Sequence, residues 1–269
     1  GLSMTLPGLP VDGTRVMTSR EALAAKTAPK TMAIIGAGAI GVEFAYIYNA
    51  FGTKVTLVEM APRILPVEDD EVGDALEKSL IKQGIRCLTN TKITATVDHG
   101  THFELTVEGP KENGVLSAEV CLVAIGIQPV LPGGMEPELD RSYIKCGDRY
   151  ETSIPGVYAA GDIIGPPWLA HVASYEAHQA VDGMFTGHKP KKVETFPGCT
   201  YCQPQVASVG LTERAVKEKG LKYKVGVFPF QASGKALAVG ESEGFVKLIF
   251  GEQHGEVLAR TLSVRKPPR

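Results

Sequence analysis

Short apolar runs alternate with longer helix-like segments from about residue 31 onward. Residues 31–35, 54–59 and 85–88 are short and apolar, which predicts strands. Residues 40–51 and 70–83 read as helices, each closed by the glycine that follows. Strands and helices that alternate in this way predict an α/β domain of the Rossmann type.

The pattern changes to a β type between residues 92 and 125. Strands are predicted there at residues 93–97, 103–108 and 119–125. A turn is predicted at residues 111–114. We therefore expect a β meander inserted in the α/β domain, which spans residues 31–128 and closes near Gly126.

The segments on either side of this domain are less regular. Residues 1–30 read as a linker with a short helical stretch near residues 19–25. Prolines and glycines between residues 129 and 137 mark a second linker. Residues 157–160 read as a strand and residues 173–185 as a helix.

Beyond residue 190 the chain changes to short strands around one helix, which predicts a separate α+β domain over residues 190–258. The strands are predicted at residues 205–210, 223–228 and 245–250, and the helix at residues 212–219. Residues 259–269 carry four basic residues, two prolines and no acidic residue, so we expect a solvated end.

Composition narrows the function classes without choosing one. The 269 residues are 43% hydrophobic and 22% charged, as in ordinary globular proteins, and the net charge of −2 gives no electrostatic reason to expect nucleic acid or an anionic membrane as partner. No apolar run is long enough to span a bilayer. Five cysteines are too few, and odd in number, for a disulfide-stapled secreted fold, so we expect a cytoplasmic protein.

A glycine-rich loop joins the first predicted strand to the helix that follows it. Gly36 permits a tight turn, Gly38 lets the backbone approach a diphosphate, and Gly41 lets helix and strand pack closely. The N–H groups at the helix start bind an anion. Glu59 ends the next strand, where a carboxylate accepts from the hydroxyls of a ribose. These residues predict a dinucleotide-binding site.

The residues after the acid favour NAD over NADP. The carboxylate of Glu59 would repel a 2′-phosphate, and Met60, Ala61 and Pro62 supply no adjacent cation. Arg63 is close enough in sequence to leave NADP open.

Glu43, in the first turn of the predicted helix, has two interpretations. It is either a carboxylate that suits the helix dipole, worth under about 1 kcal/mol, or a residue beside the nicotinamide. The residues alone favour neither. The predicted cofactor-binding segment comprises Gly36, Ala37, Gly38, Ala39, Ile40, Gly41, Val42 and Glu43.

Six motifs, taken together and in order, resemble the flavin-dependent pyridine nucleotide–disulfide oxidoreductases. They are GAGAIGVEFA, VEM, LVAIG, GVYAAGDI, WLAH and CTYCQPQVASVGLTE. The similarity runs from about residue 6 to residue 258. It implies the cofactors NAD and FAD, and most closely a homodimeric member that oxidises lipoyl-bearing subunits of a 2-oxo acid dehydrogenase complex through a redox disulfide.

The resemblance also places residues. Ile93 and Gly126 are similar to positions on the adenine and nicotinamide sides of NAD, and Asp162 resembles the carboxylate that holds the ribityl chain of FAD. The turn that meets the flavin ring is similar to Trp168, Leu169, Ala170 and His171. Considered without the resemblance, Asp162 is a turn cap and His171 a partly buried polar group.

The resemblance further implies a domain plan and a fragment. Residues 1–30 and 129–189 are similar to parts of an FAD domain, residues 190–258 to a partial dimerisation domain, and residues 259–269 to nothing in the family. Members carry an FAD-binding glycine motif, a CxxxxC redox pair and a C-terminal His-Glu dyad, and this sequence shows none of these. We therefore expect a fragment, truncated at both ends, that binds NAD, does not retain FAD and has no complete catalytic set.

Two cysteines in a CxxC spacing need a separate interpretation. Cys199 and Cys202 lie in an extended, proline-bounded stretch, where residues three apart point to opposite faces. That placement favours a structural role over a redox or metal pair. No metal site is predicted.

Two alternatives stay open. One is a related reductase, for glutathione or mercuric ion, although Glu59 argues against an NADP-dependent glutathione enzyme and a mercuric reductase would need cysteines near its C-terminus. The other is a non-catalytic dinucleotide-binding module.

Overall fold

The structure, a computed structural model, describes residues 1–187 and 195–264. It divides into two compact units. The smaller is formed by residues 1–2 and 127–198, and the larger by residues 3–126 and 199–269. Residues 188–194 and 265–269 fall within these ranges but outside the described residues.

The strands of the described chain are β1 (Leu2–Ser3), β2 (Val16–Met17), β3 (Thr31–Ile35), β4 (Lys54–Val58), β5 (Arg86–Leu88), β6 (Lys92–Asp98), β7 (Phe103–Glu108), β8 (Asn113–Ala118), β9 (Val120–Val123), β10 (Ile127–Gln128), β11 (Leu139–Asp140), β12 (Tyr143–Ile144), β13 (Gly198–Thr200), β14 (Gln205–Gly210), β15 (Tyr223–Pro229), β16 (Gly244–Gly251) and β17 (Val257–Val264). The α-helices are α1 (Ser19–Ala24), α2 (Ala39–Ala50), α3 (Asp70–Lys82), α4 (Ala170–Phe185), α5 (Glu213–Glu218) and α6 (Gly234–Ala238), and short 3₁₀ helices lie at Gly161–Ile164 and Phe230–Ala232.

A parallel sheet with the strand order β2-β9-β3-β4-β5 forms the base of the larger unit. Ile35 at the end of β3 pairs with Val58 of β4 and with Val123 of β9, so the three strands end at one level. The loops that follow them therefore meet at one edge of the sheet. The predicted α/β class is confirmed.

Side chains that alternate along the central strands fill two cores. Met32, Ile34 and Leu57 pack with the buried residues of α2 and α3. Ile35 and Val58 point to the opposite face, where they pack with the antiparallel sheet β6-β7-β8. Both faces of the parallel sheet are thereby shielded from water, as continuous apolar strands require.

The inserted meander is present, but its third strand differs from the prediction. That strand is β8, and the chain then changes sheets at Glu119, whose N–H donates to Thr31 Oγ1 at 3.0 Å while its carboxylate accepts from the Lys30 N–H at 2.8 Å. β9 consequently joins the parallel sheet beside β3. The prediction of a meander strand at residues 119–125 was wrong, because an apolar pattern does not say which sheet a strand joins.

The first thirty residues are more than a linker. β2 pairs in parallel with β9, and both of its residues, Val16 and Met17, are buried. Two residues are too few to show a pattern, so the prediction of a plain linker over residues 1–30 was wrong at this point. The predicted helical stretch is present as α1.

The C-terminal part of the larger unit forms a sheet in the order β13-β14-β17-β16-β15. β17 lies at its centre, between β14 and β16, and its alternate residues Ala259, Thr261 and Ser263 are 4%, 5% and 0% exposed. The prediction of a solvated end from residue 259 was wrong as far as Val264. Small and hydroxyl side chains make the inward face of this strand, which hides its apolar periodicity. Residues 265–269 lie outside the described residues.

The α+β part packs against the helices of the parallel-sheet part. Cys202 and Val206 belong to the same buried cluster as the inward residues of α2 and α3. The side-chain amide of Gln83, after α3, donates to the Gln203 carbonyl at 2.7 Å. Residues 31–126 and 199–258 thus belong to one compact unit.

The smaller unit holds the β11–β12 hairpin and α4. α4 begins at Ala170, earlier than the predicted residue 173. The strand predicted at residues 157–160 is not formed, since Tyr158 makes an isolated bridge with Glu151 and extends it no further. Among the described residues, no helix of either unit has the length and apolarity that crossing a membrane requires.

Candidate dinucleotide-binding site

The first glycine of the loop allows β3 to turn sharply at the edge of the sheet. Gly36 has φ +99°, which side-chain-bearing residues rarely adopt, and a Cβ there would lie 2.5 Å from the Ala124 carbonyl oxygen. Its N–H donates to the Val58 carbonyl at 2.8 Å. The loop is therefore held against the ends of β4 and β9.

The other two glycines have opposite surroundings. A Cβ at Gly41 would lie 1.9 Å from the Gly36 carbonyl oxygen, so α2 packs on the loop only because position 41 has no side chain. A Cβ at Gly38 would meet no atom within 4 Å. Gly38 is the N-cap of α2 and makes no side-chain cap, so the first N–H groups of this helix are available to an anion.

Glu59 lies beside this loop. Its Oε2 accepts from the Ala37 N–H at 2.6 Å and its Oε1 from the Ala61 N–H at 2.7 Å. Each carboxylate oxygen has a further lone pair. The carboxylate is thus fixed at the loop by backbone donors and can still accept hydrogen bonds from a pair of vicinal hydroxyls.

Arg63, the cation next in sequence after Glu59, pairs with two acidic residues of α3. Its Nε donates to Asp74 Oδ1 at 2.9 Å, and its Nη1 lies 3.4 Å from Asp70 Oδ2. Two carboxylates of α3 therefore already engage the guanidinium.

The loop after α2 and β4 gives the glycine turn a second support that sequence reasoning missed. The N–H of Leu65 donates to the Ala37 carbonyl at 2.8 Å. Leu65 has φ +47°, which is rare for a branched residue, and its side chain is buried. No local signal marks this contact, because its partners are far apart in the sequence.

Ile93 and Gly126 lie at the same end of the unit. Gly126 has φ +125° and follows β9, at the edge where the glycine loop sits, and its carbonyl accepts from the Met4 N–H at 2.9 Å. The Thr91 N–H donates to the Glu59 carbonyl at 2.9 Å, so β6 starts beside Glu59 and Ile93 follows within it. The side chain of Ile93 packs against the core of the meander.

Glu43 makes a contact that neither of its two interpretations from the sequence predicted. Its Oε1 accepts from the Tyr201 N–H at 2.7 Å, which ties α2 to the segment before β14. Burial raises the pKa of Glu43, and the bond from Tyr201 acts in the opposite direction. The carboxylate is therefore a structural acceptor in this structure, one turn inside the helix that starts at the glycine loop.

The CxxC residues lie in different environments. Cys199 is exposed and Cys202 is buried, and all five cysteines, each in a described segment, are free thiols. Burial, together with the nearby Glu43, raises the pKa of Cys202 to about 12. Since the thiolate is the nucleophile and the metal ligand, this thiol is inert at neutral pH.

The residues that resemble flavin contacts lie in the smaller unit. Asp162 is in the 3₁₀ turn, and Gly161 beside it packs so closely on α4 that a Cβ would lie 2.9 Å from that of Ala173. The exposed ring of Trp168 contacts Tyr143. Just after it come Leu169, Ala170 and His171, the N-cap and first residues of α4. His171 Nε2 lies 3.0 Å from the Pro197 carbonyl oxygen, so this histidine has a backbone partner.

Family models match almost the whole of the described chain. A model described as pyridine nucleotide-disulphide oxidoreductase matches residues 2–177, and one described as the dimerisation domain of these enzymes matches residues 196–263. The second match extends past residue 258, where the sequence resemblance was expected to stop. Members of this family use FAD together with NAD or NADP.

Curated relatives carry the name dihydrolipoyl dehydrogenase. One from Chlorobaculum tepidum is 44% identical over 261 residues, which are 94% of this chain and 55% of the relative. One from Bacillus subtilis is 41% identical, again over 94% of this chain and 55% of the relative. The chain thus spans about half the length of these relatives.

Solved structures of flavoprotein disulfide reductases have the same fold as this chain. LpdA from Mycobacterium tuberculosis superposes with a TM-score of 0.85 at 25% identity, covering 98% of this chain and 58% of that chain. The flavoprotein disulfide reductase RclA from Escherichia coli shares the fold, with a TM-score of 0.86 at 24% identity over 99% of this chain and 62% of that chain. On the glycine loop, its acidic partner and these matches, the chain belongs to the pyridine nucleotide–disulphide oxidoreductase family.

Proposed function

We propose that this chain is the NAD-binding part of a flavoprotein of the dihydrolipoyl dehydrogenase type. The observation that carries the proposal is the open backbone at Gly38, at the start of α2, with the carboxylate of Glu59 beside it. An N-terminal helix end without a cap attracts the pyrophosphate, and a fixed carboxylate accepts from the adenine ribose. The remaining members of the proposed segment, from Ala37 to Glu43, line the first turn.

NAD rather than NADP is the proposed ligand. Glu59 would lie against a 2′-phosphate as a like charge, and Arg63 is engaged by Asp70 and Asp74. A neutral 2′-hydroxyl instead gains a charge-assisted hydrogen bond, worth about 1.5–3 kcal/mol. Gly126 and Ile93 are proposed to flank the nicotinamide and adenine ends.

The proposed parent reaction is dihydrolipoamide plus NAD⁺ to lipoamide, NADH and H⁺. The dithiol is oxidised to a disulfide, and the two electrons with one proton leave as a hydride. FAD, when bound, supplies the two-electron relay between a redox disulfide and the nicotinamide. This chain would hold FAD only through Asp162 and the turn from Trp168 to His171, and none of its cysteines are in a CxxxxC pair. We therefore propose that it does not complete the reaction alone.

The proposed partners follow from the same reaction. They are lipoyl-bearing subunits of a 2-oxo acid dehydrogenase complex and a second copy of the chain, because the matched dimerisation domain includes the sheet that ends on β15. We propose a cytoplasmic location, although a relative from Arabidopsis thaliana is named as mitochondrial.

One glycine substitution tests the dinucleotide site without disturbing the fold. In Gly38→Ala the new methyl group meets no protein atom within 4 Å, so the chain should fold as before. In the proposed site, the same methyl group would keep the pyrophosphate from approaching the backbone closely. We expect NADH affinity, measured by the change in its fluorescence, to fall at least about tenfold. Gly133→Ala, where a Cβ also meets nothing within 4 Å, is the matched control and should bind NADH as the parent chain does.

Equal NADH affinity in Gly38→Ala and the parent chain would contradict this site. Binding of NADH by a chain that never supports lipoamide reduction, even when supplied with the rest of the enzyme, would instead favour the non-catalytic module.

A further inference from the structure

We propose that the turn between β6 and β7 is a binding site for a divalent transition-metal ion, with Zn²⁺ as its test ligand. The ligands are His99, His102 and Glu104. Among the described residues these three form one group whose potential ligand atoms all lie within 4.8 Å of one another. Neither the glycine loop nor the flavin-associated residues include any of them.

The register of the hairpin puts the three side chains on one face. Asp98 pairs with Phe103 and Val97 with Glu104, and the His99 N–H donates to the His102 carbonyl at 2.9 Å. Because side chains alternate along a strand, His99 and His102 share the face of Glu104, while Asp98 and Phe103 point the other way.

Contacts on the opposite face hold the turn in shape. Asp98 accepts from the Gly100 N–H at 2.7 Å and from Arg15 at 2.8 Å, and the Arg15 guanidinium lies 4.4 Å from the Phe103 ring centroid. The two histidines therefore project from a turn whose backbone is already held in place, so little backbone ordering is needed when a metal binds.

The donor set matches zinc chemistry. Two imidazole nitrogens and one carboxylate oxygen are ligands that Zn²⁺ takes with a fourth position left to water. His99 Nε2 lies 3.2 Å from Glu104 Oε2, close to the separation of about 3.3 Å between two ligands of a tetrahedral zinc. The rings of His99 and His102 are stacked with centroids 4.8 Å apart, and Thr101 Oγ1 lies 3.1 Å from His102 Nδ1, which orients that ring.

The proposed metal site is separate from the dinucleotide loop within the same unit. β6 starts beside Glu59 and ends at Asp98, so His99 lies about 20 Å along the strand from Ile93, at about 3.3 Å per residue. Zinc binding and NAD binding are therefore independent, and failure of one experiment does not bear on the other.

Calorimetric titration of the purified, metal-stripped chain with Zn²⁺ tests the site. We expect one equivalent to bind to the parent chain, and His102→Ala or Glu104→Gln to weaken binding at least about tenfold, because loss of even an outer-shell partner costs about 10–100-fold in metal affinity. His254→Ala, which removes an exposed histidine of the turn after β16, is the matched control and should bind as the parent does. Mg²⁺ prefers oxygen ligands to imidazole, so it should not bind at this turn.

A second readout uses the imidazole NMR signals. Those of His99 and His102 should shift on addition of one equivalent of Zn²⁺, in a Cys199→Ser background that removes the exposed thiol as a competing ligand. Unchanged Zn²⁺ affinity in both His102→Ala and Glu104→Gln, with folded spectra, would overturn the proposal, as would signals of these histidines that do not respond to Zn²⁺.

Discussion

The three glycines of the loop differ in whether the fold itself requires a glycine at their position. Gly36 is required for its backbone conformation, Gly41 for the close approach of α2, and Gly38 for neither, since both its φ of −70° and its surroundings accept a side chain. A requirement at Gly38 therefore has to come from a ligand. The distinction separates stability from binding at the scale of single residues.

Gly41→Ala should destabilise the fold where Gly38→Ala does not. The new Cβ would lie 1.9 Å from the Gly36 carbonyl oxygen, and backbone on both sides leaves no flexible atom to move. We expect a loss of about 3 kcal/mol or more and a fall in the thermal midpoint of several degrees. Thermal unfolding followed by circular dichroism checks this, and equal midpoints for the two variants would show that the loop relaxes freely.

Glu59→Gln should weaken NADH and narrow the preference for NADH over NADPH. The amide group of glutamine faces a backbone N–H at Ala37 or Ala61, so one donor loses its acceptor, and the charge that repels a 2′-phosphate is gone. We expect NADH affinity to fall about tenfold or more. Fluorescence titration with both nucleotides measures it. Glu218→Gln, in an exposed helix position, is the control, and an unchanged ratio of the two affinities would argue against a ribose role for Glu59.

At the scale of elements, one lysine links β16 to α3 and α5. Lys247 is 1% exposed, and its Nζ lies 2.7 Å from Glu213, 3.0 Å from Glu71 and 3.5 Å from Asp69. Asp69, the N-cap of α3, also accepts from the Glu213 N–H at 2.6 Å. This cluster joins the parallel-sheet part of the larger unit to the α+β part.

Lys247→Met should destabilise the larger unit by about 3–5 kcal/mol, because removal of this partner leaves the buried carboxylate of Asp69 without a counter-charge. Lys224→Met on the neighbouring strand is the matched control. Lys224 is exposed and lies 3.9 Å from Glu252, and such surface pairs contribute about 0–1 kcal/mol. Denaturant unfolding compares the two variants. A loss for Lys247→Met no larger than for Lys224→Met would show that the cluster is not a structural link.

The same cluster predicts a loss of stability in acid. Bonds from Lys247, then from Lys217 and Tyr223, lower the pKa of Glu213 to about 2 from an ordinary value of 4.5. The folded state therefore binds this proton less readily than the unfolded state. The contribution of Glu213 is complete above about pH 4.5 and is lost as pH falls toward about 2. Unfolding midpoints across this range should decline more steeply in the parent chain than in Glu213→Gln.

At the scale of the whole molecule, the chain contains more of the proposed dinucleotide site than of the site that resembles a flavin site. The larger unit contains the glycine loop, its acid and the sheet edge that holds them. The smaller unit contributes Asp162 and the start of α4, while the relatives are nearly twice as long as this chain. NAD binding without turnover is the expected behaviour.

The purified chain should be colourless and should not reduce lipoamide with NADH, even after incubation with FAD. No cysteine pair in the sequence has the CxxxxC spacing, so the dithiol has no disulfide to exchange with. Absorbance in the flavin region and NADH consumption measure both points. The Gly38→Ala chain is the control for unspecific NADH loss. Flavin retention together with lipoamide-dependent turnover would contradict the fragment interpretation.

The sequence by itself determined the glycine loop, the acid at Glu59 and the elements that carry them. These features are local: strand, turn and helix follow one another within residues 31–59, so periodicity and turn chemistry suffice to predict them. The family followed from motifs that are also short and continuous.

Only the tertiary structure decided features whose partners are distant in sequence. β17 is central because β14 and β16 bury its small and hydroxyl residues, a pattern that single-strand hydrophobicity cannot show. Glu43 accepts a hydrogen bond from Tyr201, and Lys247 pairs with three acidic residues, because the α+β part packs on α2 and α3. His99, His102 and Glu104 share a face because of hairpin register. A local motif can be predicted because its residues are neighbours in the sequence. Contacts between distant residues depend on how the sheets and helices pack, which the sequence pattern does not show.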